Sequence, residues 1–250
     1  MTAAYAPIVS VTLNWPKFEA VLFDLDGVLT PTADLHERAW SALFADDGFG
    51  PEDYLAHVDG KPRYDGVRAF LAARGVDLPW GDPTDLPGRS TVCALGNLKN
   101  TLFDDLLRTE GVEPYPGSAA VLDLLVGAGV AAAVVSSSKN AVRVLAAAGL
   151  ADRFEIVVDG IVAEASALAG KPRPDTFLDA ADRLGVPPRR TVVVEDAVSG
   201  VTAGVAGDFG LVVGVDRGGN RSALSAAGAD LVVDDLADTL GRPNGAGDRR

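Results

Sequence analysis

Three short β-branched runs end abruptly in polar residues: Ala20 to Phe23 before Asp24, Val130 to Val135 before Ser136, and Thr191 to Val194 before Glu195. A continuous apolar run of this length suits a strand buried on both faces, as in a parallel sheet covered by helices. Glu155 to Val158, Leu211 to Val215 and Leu231 to Val233 are further strand candidates. Helical patterns lie between them, over Ser118 to Gly127, Ala141 to Ala148, Pro174 to Leu184 and Ala197 to Ala206. Such alternation predicts an α/β fold with a doubly wound parallel sheet, whose ligands sit beyond the carboxyl ends of the strands. The polar residues that end the runs should therefore converge.

The stretch from Thr32 to Thr109 breaks the rhythm. It offers helical patterns over Asp34 to Ala45, Asp65 to Ala73 and Leu95 to Leu107, with a Pro/Gly-rich connector from Leu78 to Gly88. The expectation is a Rossmann-like core over 18–31 and 110–240, with a small helical cap inserted over 32–109. Residues 1–17 read as an N-terminal extension, and 241–250, with no apolar residue beyond one alanine, as a disordered tail.

Composition limits the partners. With 48% hydrophobic and 23% charged residues the chain has a globular makeup, and its 250 residues can bury an ordinary core. A net charge of −13 argues against nucleic acid or an anionic membrane, both of which need a basic face. A small phosphorylated ligand is compatible with it, because a few cations and a divalent metal make a locally positive pocket. The most apolar region, Gly117 to Val135, is interrupted by Asp123, Gly127 and Gly129, and reads as helix, turn and buried strand rather than a membrane span. Cys93, the single cysteine, cannot form an internal disulfide, and Met1 to Trp15 lack the pattern of a signal peptide. A soluble cytoplasmic protein is expected; the oligomeric state stays open, with a monomer as the default.

The strongest local signal is Phe23-Asp24-Leu25-Asp26-Gly27-Val28, two carboxylates one residue apart directly after a buried strand. Continued strand geometry would point both to one side. Such a pair can divide acyl-phosphate chemistry, with an ionised carboxylate as nucleophile and a protonatable one serving the attacking or departing oxygen. Ser136, Lys171 in Gly170-Lys171-Pro172, and Glu195-Asp196 follow in order. A hydroxyl and an ammonium can neutralise phosphoryl oxygens, while further carboxylates suit magnesium, which prefers oxygen ligands.

These four elements, in this order, resemble the haloacid dehalogenase superfamily and within it the beta-phosphoglucomutase family, over roughly Phe18 to Leu240. The resemblance implies Asp24 as nucleophile, Asp26 as general acid/base, and Ser136 and Lys171 on the transferring phosphate. It implies magnesium held by Asp24, Asp26 through its backbone carbonyl, Asp196 and, directly or through the outer shell, Glu195. Thr32 to Trp40 resembles the segment carrying the family's hinge threonine and a histidine, here His36, that positions Asp26; Thr32 and Trp40 are carried as substrate-binding. Gly60-Lys61-Pro62-Arg63 resembles the cap loop whose arginine meets a distal phosphate, with Gly60 in the same loop. Lys99-Asn100 resembles the pair that engages the sugar, and Ser138, Lys139 and Asn140, beside Ser137, resemble the core residues on the distal phosphate. Pro31, Pro62 and Gly170 depart from the family pattern.

The implied reaction interconverts beta-D-glucose 1-phosphate and glucose 6-phosphate, with beta-glucose 1,6-bisphosphate as intermediate and activator. A sugar-phosphate phosphatase using the same core residues is the rival; a non-catalytic sugar-phosphate sensor is a remoter one.

Overall fold

The computed structural model describes residues 12–241. Residues 1–11 and 242–250, which hold most of the expected extension and tail, lie outside the described residues. Six strands form one parallel sheet: β1 (Ala20–Phe23), β2 (Ala131–Val135), β3 (Ile156–Val158), β4 (Thr191–Glu195), β5 (Leu211–Val215) and β6 (Leu231–Val233), in the order β3-β2-β1-β4-β5-β6. The order reverses at β1, which lies between β2 and β4, so the crevice of a doubly wound sheet opens above β1.

Both faces of the sheet are dry, which explains the continuous apolar runs. Val21, Phe23, Val134 and Val194 pack to one side with Leu122 and Leu125; Leu22, Ala133, Val135 and Val193 pack to the other with Phe177 and Ala180. The covering helices are α4 (Pro116–Ala128), α5 (Ala141–Ala147), α6 (Gly160–Ala165), α7 (Asp175–Leu184), α8 (Val198–Ala206) and α9 (Arg221–Ala226). Pro116 opens α4, where its missing N–H costs nothing, and Gly129 closes it in the left-handed conformation.

The cap is made of α1 (Thr32–Leu43), α2 (Arg63–Ala73) and α3 (Val92–Glu110), with a helical turn over residues 51–58 that the sequence reading did not anticipate. The cap has its own aromatic core. Phe44 stacks 4.4 Å from Phe70 and 5.9 Å from Trp40, with Leu43, Val67 and Leu95 around them. Thr91 caps α3 by accepting from the Ala94 N–H at 3.0 Å, and Pro31 sits at the N-cap of α1, where a proline is tolerated. Among the described residues no helix is long and apolar enough to cross a membrane.

Trp15, within the stretch read as an extension, is fully buried in the core beside β1. Its Nε1 donates to Thr239 Oγ1 at 3.2 Å, and the Leu13 N–H donates to the Thr239 carbonyl at 2.9 Å. Segments far apart in sequence are thus pinned together. Trp15→Ala is expected to lower unfolding free energy by about 3–5 kcal/mol, read by urea denaturation; a loss under about 1 kcal/mol would mean that this end does not support the core.

Candidate active site

Phe23 is in register with Val134 of β2 and Val194 of β4, so the three chains leave the sheet side by side. They continue into Asp24, into Ser136 after Val135, and into Asp196 after Glu195. The Asp24 N–H still donates to the Val194 carbonyl at 2.9 Å, and the Ser136 N–H to that of Val158 at 3.0 Å. These backbone bonds fix where each side chain begins.

β1 ends at Phe23, and Asp24 and Asp26 follow it into a turn. Residues 24–30 turn, with Gly27 at φ +87° and its N–H donating to the Thr30 carbonyl at 2.7 Å. The two carboxylates meet different partners, yet both line one cavity between cap and core.

Asp24 belongs to the core. The buried ammonium of Lys171 lies 2.5 Å from Asp24 Oδ1, 2.5 Å from Glu195 Oε1 and 3.1 Å from the Val135 carbonyl. Burial disfavours that charge, but the two carboxylates outweigh it and hold the lysine protonated. Burial and the neighbouring Glu195 and Asp26 push the Asp24 carboxyl well above the usual range, against the pull of Lys171. Asp196 is pushed up too, by burial and then by Asp24 and Glu195.

Oxygens of Asp24, Glu195 and Asp196 lie within 4.8 Å of one another. Three carboxylates thus face one ammonium, and the crowding of like charge calls for a further cation. An all-oxygen donor set fits magnesium. Two glycines preserve the space: a Cβ on Gly27 would fall 1.8 Å from Asp196 Oδ2, and one on Gly200 of α8 would fall 1.8 Å from Glu195 Oε1. Glu195 Oε2 accepts from the Asp196 and Ala197 N–H groups, each at 3.0 Å.

Asp26 is held mainly by the cap. Thr32 Oγ1 donates to Asp26 Oδ1 at 2.5 Å, and Thr30 and Thr32 hydroxyls are 2.7 Å apart. His36 Nε2 lies 3.4 Å from the same Oδ1, its ring stacks 4.1 Å from Phe103, and its Nδ1 meets the Lys99 ammonium. Burial raises the Asp26 carboxyl, but His36, Thr32 and Lys99 outweigh it and keep it below the usual range. Burial and Arg63 in turn hold Lys99 well below an ordinary lysine, and it lies 5.3 Å from the centre of the Trp40 ring.

The remaining expected residues divide. Trp40, Gly60, Arg63, Lys99, Ser136, Ser137, Ser138 and Lys139 line the cavity with Asp24 and Asp26. Arg63 forms no ion pair among the described residues and stays available to an anion. The Lys139 ammonium is paired with Glu164 at 2.6 Å, and Ser137 Oγ donates to the Gly60 carbonyl at 2.9 Å. Asn140, buried but not on the lining, donates to Asn100 Oδ1 at 2.6 Å. Sequence reasoning passed over Tyr54 and Asp59, which also line the cavity; burial and Glu195 push Asp59 up to about 7.

A buried aspartate beside an ammonium and a serine, with an acid cluster suited to a cation at a switch point, fits an enzyme of phosphoryl transfer or phosphate-ester hydrolysis. Comparison with known proteins agrees. The sequence profile of haloacid dehalogenase-like hydrolases matches residues 18–208. Beta-phosphoglucomutase of Mycobacterium bovis is 47% identical over 94% of this chain and 97% of its own length. Hexitol phosphatase A of Escherichia coli is 32% identical over 76% of this chain and 80% of its own. The crystal structure of beta-phosphoglucomutase from Clostridium difficile superposes with a TM-score of 0.73 at 26% identity, over 88% of this chain and 92% of that one. The chain therefore belongs to the haloacid dehalogenase superfamily and, within it, to the beta-phosphoglucomutase family.

Two outcomes follow from the charge cluster. Magnesium is expected to raise the melting temperature of the wild type, by the equivalent of about 2.7 kcal/mol at a hundredfold excess over its Kd, and much less in Asp196→Asn; equal gains in both proteins would remove Asp196 from the ligand set. Lys171→Met is expected to cost about 3–5 kcal/mol in urea unfolding without metal, because it leaves buried carboxylates unpaired.

Proposed function

We propose that the protein is a mutase that interconverts beta-D-glucose 1-phosphate and glucose 6-phosphate through beta-glucose 1,6-bisphosphate. The observation that supports this reading is a cavity with two poles, the unpaired Arg63 in its cap wall and, at Asp24, an acid cluster about Lys171 that suits a further cation. Lys171 stands with Ser136 behind Asp24, and Arg63 stands in the cap wall of the same cavity with no carboxylate partner. A molecule phosphorylated at both ends needs both poles, because one phosphate must be gripped while the other reacts.

In this mechanism Asp24 attacks phosphorus and carries the phosphoryl group as an acyl phosphate. Asp26 takes the proton from the sugar 6-hydroxyl as that oxygen attacks the phospho-aspartate, which frees the Asp24 carboxylate and yields the bisphosphate. After the bisphosphate turns around, Asp24 accepts the phosphoryl group from the 1-position, and Asp26 returns the proton to the departing oxygen. His36 and Thr32 orient Asp26, while Lys171 and Ser136 offset charge on the transferring oxygens, the larger part of such catalysis. Magnesium held by Asp24, the Asp26 carbonyl, Asp196 and Glu195 would supply further charge neutralisation.

A second reading, hydrolysis of a sugar phosphate, draws on the far pole. Lys139, Ser137 and Asn140 are engaged with Glu164, Gly60 and Asn100, so a second phosphate finds fewer free donors than the sequence promised. Phosphorus NMR separates the two. With magnesium, beta-glucose 1-phosphate and a trace of the bisphosphate, the mutase gives glucose 6-phosphate with little free phosphate; free phosphate as the main product would replace the proposal with the phosphatase.

Asp24→Asn is expected to reduce either activity by about 10⁴-fold or more while leaving the circular dichroism spectrum unchanged. Turnover at the wild-type rate would sink the nucleophile assignment. Arg63→Ala is expected to weaken bisphosphate binding about 10- to 100-fold, the worth of a charge-assisted hydrogen bond, and to leave hydrolysis of a small aryl phosphate nearly untouched.

A further inference from the structure

A second cavity of about 370 Å³ lies in the seam between cap and core, on the far side of Arg63 and Lys139. Its size falls within the range for small-molecule sites, roughly 300–1,000 Å³. It shares Arg63, Ser136, Ser137 and Lys139 with the catalytic cavity, so the two are neighbours through a common wall. No step of the proposed reaction uses it.

The cap side is an aromatic wall held rigidly. Tyr64 and Trp80 meet edge to face at 6.2 Å. The Tyr64 hydroxyl donates to Asn97 Oδ1 at 2.9 Å, and its ring occupies the room left by Gly96, where a Cβ would fall 2.5 Å from Cδ1. Trp80 is fixed through its carbonyl, which accepts from the Cys93 N–H at 2.9 Å, and Arg68 packs 4.8 Å from its ring centre. Yet the Trp80 side of the wall stays 41% exposed.

The core side sets one ion pair among Gly160, Ala163, Leu168, Ala169 and Gly170. Glu164 and Lys139 form an ion pair across from Tyr64. The charged lining residues are Arg63 and Lys139, Asp65 and Glu164, two of each sign, so the lining carries no net charge. Thr176, 5% exposed, also lines the cavity, and its hydroxyl has no hydrogen-bond partner. Aromatic faces and a paired hydrogen-bonding charge suit a neutral polyol with one apolar face. Its C–H groups meet the negative ring faces, while its hydroxyls meet Glu164 and Lys139.

We propose that the seam cavity is a second carbohydrate subsite, which takes an unphosphorylated pyranose ring against the Trp80–Tyr64 wall. The ring could be a free sugar or the outer ring of a disaccharide phosphate whose phosphorylated end enters the catalytic cavity. The subsite does not depend on whether the catalytic reaction is transfer or hydrolysis.

Titration calorimetry on the full chain tests it with four probes: glucose, maltose, glucose 6-phosphate and maltose 6-phosphate. Two variants fill or strip opposite walls, Ala163→Trp on α6 and Trp80→Ala in the cap, each checked for wild-type circular dichroism and unchanged turnover of a small aryl phosphate. Saturable binding of glucose or maltose with Kd on the order of 1 mM, weakened about tenfold or more in both variants, identifies a site for free sugar. Maltose 6-phosphate binding about tenfold tighter than glucose 6-phosphate, with that advantage lost in both variants, identifies a substrate-borne ring. Absence of both effects, or either effect surviving in both variants, overturns the proposal.

Discussion

The ammonium of Lys171 is the interaction on which this active site depends. The topology brings the ends of β1 and β4 together, and with them Asp24, Glu195 and Asp196 at the edge of an apolar sheet. Burying three carboxylates so close together is costly, and an isolated buried charge would neutralise itself by taking a proton. Lys171 touches two of them and the Val135 carbonyl, and so spans β1, β2 and β4 from beneath. The carboxylates outnumber that ammonium, and their all-oxygen arrangement suits a divalent cation. Gly27 and Gly200 serve that arrangement by leaving room for the Asp196 and Glu195 side chains.

The two working carboxylates have different supports. Asp24 rests on core residues alone, whereas Asp26 is tied to Thr32 and His36 on α1, and His36 to Lys99 on α3. The residue proposed to move the proton is thus oriented by the cap, and the residue proposed to receive phosphorus is oriented by the sheet. Movement of the cap would disturb Asp26 without disturbing Asp24. Hydrogen bonds between cap and core are few, Ser137 to Gly60, Asn140 to Asn100, and Arg143 to Asp104 at 2.8 Å, while Leu35, Ala39, Phe103 and Leu107 of the cap join the main apolar cluster. Such hydrogen bonds contribute about 0.5–1.5 kcal/mol each.

Much of this was legible in the sequence, for identifiable reasons. Strands buried on both faces leave unbroken apolar runs, and all six were read within a residue or so of their ends. Helices α6 and α9 were not, because each is six residues long and offers too few turns for a periodic pattern. Trp15 escaped because its burial depends on Thr239, at the other end of the chain. Asp24 and Asp26 were visible from their place after the strand, but their separate partners, Lys171 for the one and Thr32 and His36 for the other, were not. The engagement of Lys139 with Glu164 is likewise tertiary; the family pattern offered Lys139 to a phosphate and had no means of showing a competitor on α6.

The departures from the family pattern make sense only in three dimensions. Pro62 of the cap loop and Gly170, next to Lys171, face each other: a Cβ on Gly170 would fall 3.1 Å from Pro62 Cγ. A proline ring in the cap therefore takes the place that a serine side chain at 170 would want, and the two changes compensate. Gly60, at φ +68°, makes a second close approach, since a Cβ there would fall 2.2 Å from Ser199 Oγ on α8. The loop from Gly60 to Arg63 thus lies close on the core, most tightly at Gly60. This close fit brings Arg63 over the cavity, and it also creates the aromatic seam beside it, because Tyr64 follows directly on the arginine. Arg63 on the wall that both cavities share and Tyr64 on the seam cavity alone are consequences of the same docked loop.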